Sequence, residues 1–165
     1  MVVHPDYDGR DNDIAVIVLR TASTVTPSPI ASTAEIGAAL DTILAGFGNS
    51  DIHSTRGFGV KREVTVPMTH LRRTPTDDLD DAEMDLDFES DTEFGAGGGG
   101  FDTCNGDSGG PAYILTGAGF KVAGLTSRAF PNAGTPCGEG GLYTRVDAHM
   151  GFVRQVASAS GVTIA

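Results

Sequence analysis

Cys104-Asn105-Gly106-Asp107-Ser108-Gly109-Gly110-Pro111 is the stretch of this sequence whose residue types and spacing could carry a reaction. A serine set among glycines can sit on a sharply turned backbone that brings N–H groups beside its own oxygen. The N–H groups of Gly106 and Ser108 could then form an oxyanion hole for the tetrahedral intermediate of acyl transfer. Pro111 withholds a donor, which suits the first residue of a following strand. A second group with chemical promise is Asp13, placed where the polar, turn-rich residues 4–12 meet the apolar run Ile14-Ala15-Val16-Ile17-Val18-Leu19. At such a loop–strand junction, backbone donors can fix a carboxylate.

Two known frames place a serine this way. Gly106-Asp107-Ser108-Gly109-Gly110 fits the G-x-S-x-G elbow of α/β-hydrolases, which requires a helix after the serine and then an acid and a histidine downstream. Here Pro111–Thr116, a turn at Gly117 and Gly119, and Phe120–Leu125 read as strand, turn, strand. Only His149 lies downstream, two residues from Asp147, at the start of what reads as a surface helix. The order Gly106 to Pro111, Gly-Asp-Ser-Gly-Gly-Pro, instead resembles the nucleophile segment of the chymotrypsin/trypsin-like serine peptidases. The resemblance runs in order along nearly the whole chain. His4-Pro5-Asp6-Tyr7 followed by Asn12-Asp13-Ile14-Ala15 resembles the family's triad-aspartate segment. Gly46-Phe47-Gly48 is similar to its Gly-Trp-Gly, Val60–Pro67 to its strand ending in Val-Pro, and Gly141–Val146 to its Gly-Val-Tyr-x-x-Val strand.

The resemblance implies roles. Asp13 would orient a catalytic histidine and Ser108 would be the nucleophile, with Gly106 and Ser108 as the oxyanion hole. Asp102, six places before the serine, would lie at the base of the pocket that receives the side chain before the cut, which points to Arg or Lys. Ser127, Ala129 and Gly141 would line that pocket. Arg128 stands where an aromatic is usual and could reach Asp102 and compete with substrate; the other reading of Asp102 is one more acid in an acidic chain. Cys104 and Cys137 would form a disulfide between the nucleophile loop and the opposite pocket wall, implying an oxidising, extracellular compartment; the alternative is two buried free thiols. The family's general base lies upstream of the triad aspartate, and none of the four histidines, His4, His53, His70 and His149, matches it. The new N-terminus that the family inserts beside the aspartate before its serine has no counterpart either, leaving Asp107 without that partner.

Positioning these groups takes strands. Short runs rich in Val, Thr and Ile, with 23 glycines and no tryptophan, favour an all-β class. The family implies a chymotrypsin-like double Greek-key β-barrel. The chain would hold the end of the first barrel (residues 1–25), a connector (26–36), the second barrel (37–146) and a C-terminal helix (147–160). Ile14–Leu19 reads as a buried strand, and the Pro-, Ser- and Thr-rich Thr21–Ser32 as an extended connector. Asp147 is expected to cap the last helix. Acids crowd Asp77 to Glu93 and could bind Ca²⁺, although no EF-hand spacing is present; a solvated acidic loop is the simpler expectation.

A chain of 165 residues with a net charge of −11 argues against nucleic acid as a partner. No apolar run reaches membrane-spanning length, and no signal peptide opens the sequence. The expectation is a secreted, monomeric serine endopeptidase acting on protein or peptide substrates. It would need no metal or organic cofactor, and its histidine would come from outside this chain. The alternative is a non-catalytic, serine-peptidase-like binding module.

Overall fold

Alternation of buried and exposed residues builds most of the architecture, because successive side chains of a strand point to opposite faces. The computed structural model describes residues 1–53, 55–71, 89 and 91–164. Asp77, Asp78, Asp80, Asp81, Glu83, Asp85 and Asp87 lie outside the described residues, and with them the question of a cation site.

Two short strands, β1 (Val2–Val3) and β2 (Ala15–Val16), pair antiparallel at the start. Six more close into a barrel: β3 (Asp41–Gly46), β4 (Arg62–His70), β5 (Glu93–Ala96), β6 (Pro111–Thr116), β7 (Gly119–Ala129) and β8 (Gly141–Arg145), in the order β3-β4-β5-β8-β7-β6. In β3 Thr42 and Leu44 are buried, and in β6 Ala112 and Ile114, each set two residues apart. The two-residue loop Gly117-Ala118 joins β6 to β7, a connection whose twist suits antiparallel strands. Phe94 and Tyr143 face each other across β5 and β8 with stacked rings 5.3 Å apart, and both are fully buried. With Ile36, Leu44, Val66 and Ile114 they fill the interior. The structure is thus mostly β, with a closed six-stranded barrel and a short C-terminal helix.

Several expectations are corrected. The apolar run Ile14–Leu19 is not one buried strand: Ile14 is buried, only Ala15–Val16 pair, and Ile17 and Leu19 are more than 60% exposed. Apolar side chains are buried only where a second layer covers them, and none of the described residues covers these. Helix α1 (Thr33–Ala38) follows directly on the connector. Ser32 caps it, and Glu35 reaches back to the Ser32 N–H at 2.9 Å, forming a capping box. Lys121 pins the same Glu35 from β7 at 2.6 Å, and mainly for that reason the Glu35 carboxyl is lowered to about 2.

Asp147 does not cap the last helix. It opens a 3₁₀ turn (Asp147–His149), where Arg145 at 2.7 Å and the Thr33 hydroxyl at 2.7 Å take its carboxylate; α2 (Met150–Ala159) follows. His149 lies in that turn and is buried, not on a surface helix. His70 ends β4.

Candidate active site

The loop between β5 and β6 presents Ser108, and Asp107 shapes it. The Asp107 carboxylate accepts the Gly48 N–H at 2.7 Å through Oδ1 and the Cys104 N–H at 2.9 Å through Oδ2. The Asp107 N–H closes a turn onto the Cys104 carbonyl at 3.0 Å, and the Gly110 N–H closes the next onto the Asp107 carbonyl at 2.8 Å. Gly48 leaves room for this grip, since a Cβ there would stand 2.6 Å from the Asp107 carboxyl carbon. Gly106 has φ +97°, a conformation that strains any other residue, and a Cβ on it would meet the Phe58 ring at 2.9 Å and Gly48 at 3.1 Å. Among the described residues neither the Gly106 N–H nor the Ser108 N–H donates a hydrogen bond, and Ser108 is exposed.

The serine loop is stitched to β7 by Gly109 N–H to Thr126 O and Thr126 N–H to Gly110 O, both 2.9 Å. The next residue, Ser127, is the extra one of a β-bulge: Thr126 pairs with Tyr143 and Arg128 with Leu142. A bulge re-aims its side chain, and here the Ser127 hydroxyl donates to Asp13 Oδ2 at 2.8 Å. The loop carrying Asp13 is held further by Asn12, at φ +56°, a conformation asparagine tolerates. The Asn12 amide nitrogen donates to the Asp6 carbonyl at 3.3 Å, and its oxygen lies 3.2 Å from His149 Nε2. Adjacent residues of β7 thus bond to the loop that carries Ser108, through Thr126, and to Asp13, through Ser127.

No described histidine side chain hydrogen-bonds to Ser108 or Asp13. His149 spans Asn12 and the Arg145 carbonyl, the latter at 2.7 Å, and His4 lies edge-on to it with ring centroids 5.4 Å apart. Arg128 does not reach toward Asp102. It forms a two-pronged ion pair with Glu93, Nη2 to Oε2 at 2.9 Å. Glu93 is fully buried, and leaving its carboxylate without a cation would cost more than for one that backbone donors serve on both oxygens.

Asp102 is such a served carboxylate, accepting the Gly138 N–H at 2.5 Å and the Gly140 N–H at 2.8 Å. It borders a cavity of about 680 Å³ that also touches Asp51, Phe101, Cys104, Cys137 and Glu139. Ser127, Ala129 and Gly141 do not line that cavity; Ala129 and Gly141 pair across β7 and β8. Ser108 opens on a larger groove, about 1260 Å³, walled by Phe47, Tyr113, Leu115 and Phe120. Cys104 and Cys137 are bridged, with Cα atoms 4.9 Å apart, tying the serine loop to the loop that grips Asp102.

Burial raises the Asp102 carboxyl above its ordinary value, against the pull of the Gly138 and Gly140 N–H groups. A carboxyl that holds its proton more tightly when folded contributes stability that is fully present below the unfolded value and lost as pH rises through the folded value. Denaturant titrations across the acid range should therefore show Asp102 lowering stability as pH rises through that window. Asp102→Asn should remove this part of the slope, and an unchanged profile would count against it.

Glu93, Asn12 and His149 are missed by sequence reasoning. Glu93 reads as the last member of an acidic run, although an acid directly before the apolar Phe94-Gly95-Ala96 is a usable sign of a buried charge.

The family model described as Trypsin matches residues 1–153. The chain is 32% identical over 152 residues to Trypsin-1 of Astacus astacus, covering 90% of this chain and 61% of that protein. It is 28% identical over 167 residues to the trypsin of Saccharopolyspora erythraea, covering 97% of this chain and 67% of that one. Among solved structures, the secreted serine protease VesC from Vibrio cholerae superposes with a TM-score of 0.66 at 25% identity, over 93% of this chain and 32% of VesC. The chain therefore spans roughly three-fifths of the Astacus trypsin it matches. With a chymotrypsin-like barrel and the family pattern running from residue 1 into the last helix, the chain belongs to the trypsin family of serine proteases.

Proposed function

We propose that this chain is the nucleophile-bearing part of a secreted serine endopeptidase that cleaves after Arg or Lys. The carrying observation is the Asp13–Ser127 hydrogen bond of 2.8 Å, set one residue beyond the backbone bonds that hold the Ser108 loop. In the complete enzyme a histidine from outside these residues takes the Ser108 proton, and Asp13 holds that histidine in the needed tautomer and offsets the imidazolium charge. Ser108 Oγ attacks the peptide carbonyl, and the oxyanion forms against the Gly106 and Ser108 N–H groups. The histidine returns its proton to the leaving amine, and water then hydrolyses the acyl-enzyme. Asp102 is the pocket-base carboxylate, pairing with a substrate guanidinium or ammonium and disfavouring apolar side chains that would leave it unpaired. Extracellular location is supported by the Cys104–Cys137 bridge and by the secreted protease among the structural relatives.

The test is a peptide library varied at the residue before the cut, applied to the complete protein and to its Asp102→Ser variant. Cleavage after Arg and Lys is expected, with that preference lost in the variant. A preference for large apolar residues that the substitution leaves alone would remove Asp102 from the pocket. A second reading, a non-catalytic binding module, is favoured by the two N–H groups that already engage Asp102 and by His149, which bonds to the Arg145 carbonyl and Asn12 and not to Ser108. The same library separates the two, since a binding module cleaves nothing.

A further inference from the structure

Arg128 puts a cation beside the group proposed to orient the catalytic histidine. Its Nη1 lies 3.5 Å from the Ser127 hydroxyl, and that hydroxyl donates to Asp13 Oδ2 at 2.8 Å. Guanidinium and carboxylate thus approach one hydroxyl and stand no more than 6.3 Å apart, so a released guanidinium needs only a short swing to pair with Asp13. Arg128 Nη1 also lies 3.3 Å from the Arg10 carbonyl, on the same loop as Asp13. The guanidinium is nevertheless turned to Glu93, which it meets with both Nη atoms. Glu93 is fully buried at the start of β5, where its Oε2 also accepts the Glu89 N–H at 3.2 Å. A planar fork meeting a fixed carboxylate with two parallel bonds outcompetes a single-pronged approach to a more distant one.

We infer that Glu93 is a positioning residue: by holding the Arg128 guanidinium, it keeps that cation off Asp13 and leaves the Asp13 carboxylate to Ser127 and to the incoming histidine. This rests on the role proposed for Asp13. A guanidinium paired to Asp13 would occupy the oxygen that a histidine N–H needs and would offset the charge that steadies an imidazolium. An aromatic residue at position 128, usual in the resembling family, would need no such counter-ion; an arginine there does.

The test uses the 165-residue chain and requires no activity, so its outcome is independent of whether the chain belongs to a working peptidase. The side-chain carboxyl ¹³C resonance of Asp13 is read by NMR in wild type, Glu93→Gln, Arg128→Gln and the double variant. In Glu93→Gln the Asp13 resonance is expected to move as the freed guanidinium pairs with it. In Glu93→Gln/Arg128→Gln it is expected to return to the wild-type position, because the cation is gone. The double variant leaves neither charge behind, so it reads the proposal even if Glu93→Gln alone fails to fold. An Asp13 resonance displaced in the double variant would show a structural role for the pair and overturn the proposal. So would one unmoved in a folded Glu93→Gln chain.

Discussion

The 165-residue chain is expected to hydrolyse peptide esters and amides no faster than its own Ser108→Ala variant. A serine hydroxyl becomes a useful nucleophile only when a base takes its proton as it attacks. His149 is occupied on both ring nitrogens, by the Arg145 carbonyl and by Asn12, and is buried behind the Asp13 loop. His4 packs on His149 and Phe152, and the His53 backbone closes a turn on Asp51. Asp13 accepts from Ser127 and not from Ser108. In a serine peptidase of unrelated fold, loss of the histidine costs roughly a millionfold in turnover, or about 8 kcal/mol of transition-state stabilisation. Oxyanion donors and substrate binding alone leave only a small residue of catalysis. The measurement is release of product from an arginine ester by purified chain, beside Ser108→Ala prepared identically. A rate clearly above that control would require a base within these residues and would make His4, His53 and His70 the next substitutions.

The groups proposed to do the chemistry were legible because they come with their backbone requirements. Ser108 stands among glycines that the turn needs, and Gly106 at φ +97° shows why no side chain can replace it. The strands of the barrel were legible for the same kind of reason, since Leu44 and Ile114 sit in runs of period two. What escaped depends on partners distant in sequence. Glu93 and Arg128 are 35 residues apart and meet only because β5 and β7 both pair with β8. Asp147 reads as a cap by its place before a helix, but Arg145 and Thr33, the latter 114 residues away, claim its carboxylate first. Ile17, Val18 and Leu19 read as buried because apolar runs usually are, whereas burial needs an opposing layer that the pattern of one strand cannot supply. Helix α1 did have a local sign, the spacing of Ser32 and Glu35, but Pro27 and Pro29 just before it and its six-residue length favour reading a connector.

Opening the Cys104–Cys137 bridge is expected to cost about 3–4 kcal/mol of folding stability, the loop-closure entropy that a bridge spanning 33 residues removes from the unfolded chain. The effect should also be local. Cys104 donates its N–H to Asp107 Oδ2, so the bridge anchors the turn before Ser108. Cys137 precedes Gly138 and Gly140, whose N–H groups grip Asp102. One covalent link therefore holds together the nucleophile turn and the carboxylate proposed to choose the substrate. Urea titration of the oxidised chain against Cys104→Ser/Cys137→Ser gives the stability difference from the shift in midpoint at constant slope. Amide hydrogen exchange gives the local part, with faster exchange at Gly138 and Gly140 than at the barrel residues Leu44 and Ile114. Equal midpoints for the two proteins, or two freely alkylated thiols in chain prepared under oxidising conditions, would overturn the bridge. A loss of stability with Gly138 and Gly140 still protected would keep the bridge but detach it from Asp102, leaving that loop to be held by its own hydrogen bonds from Thr135 and Gly134 to Glu139.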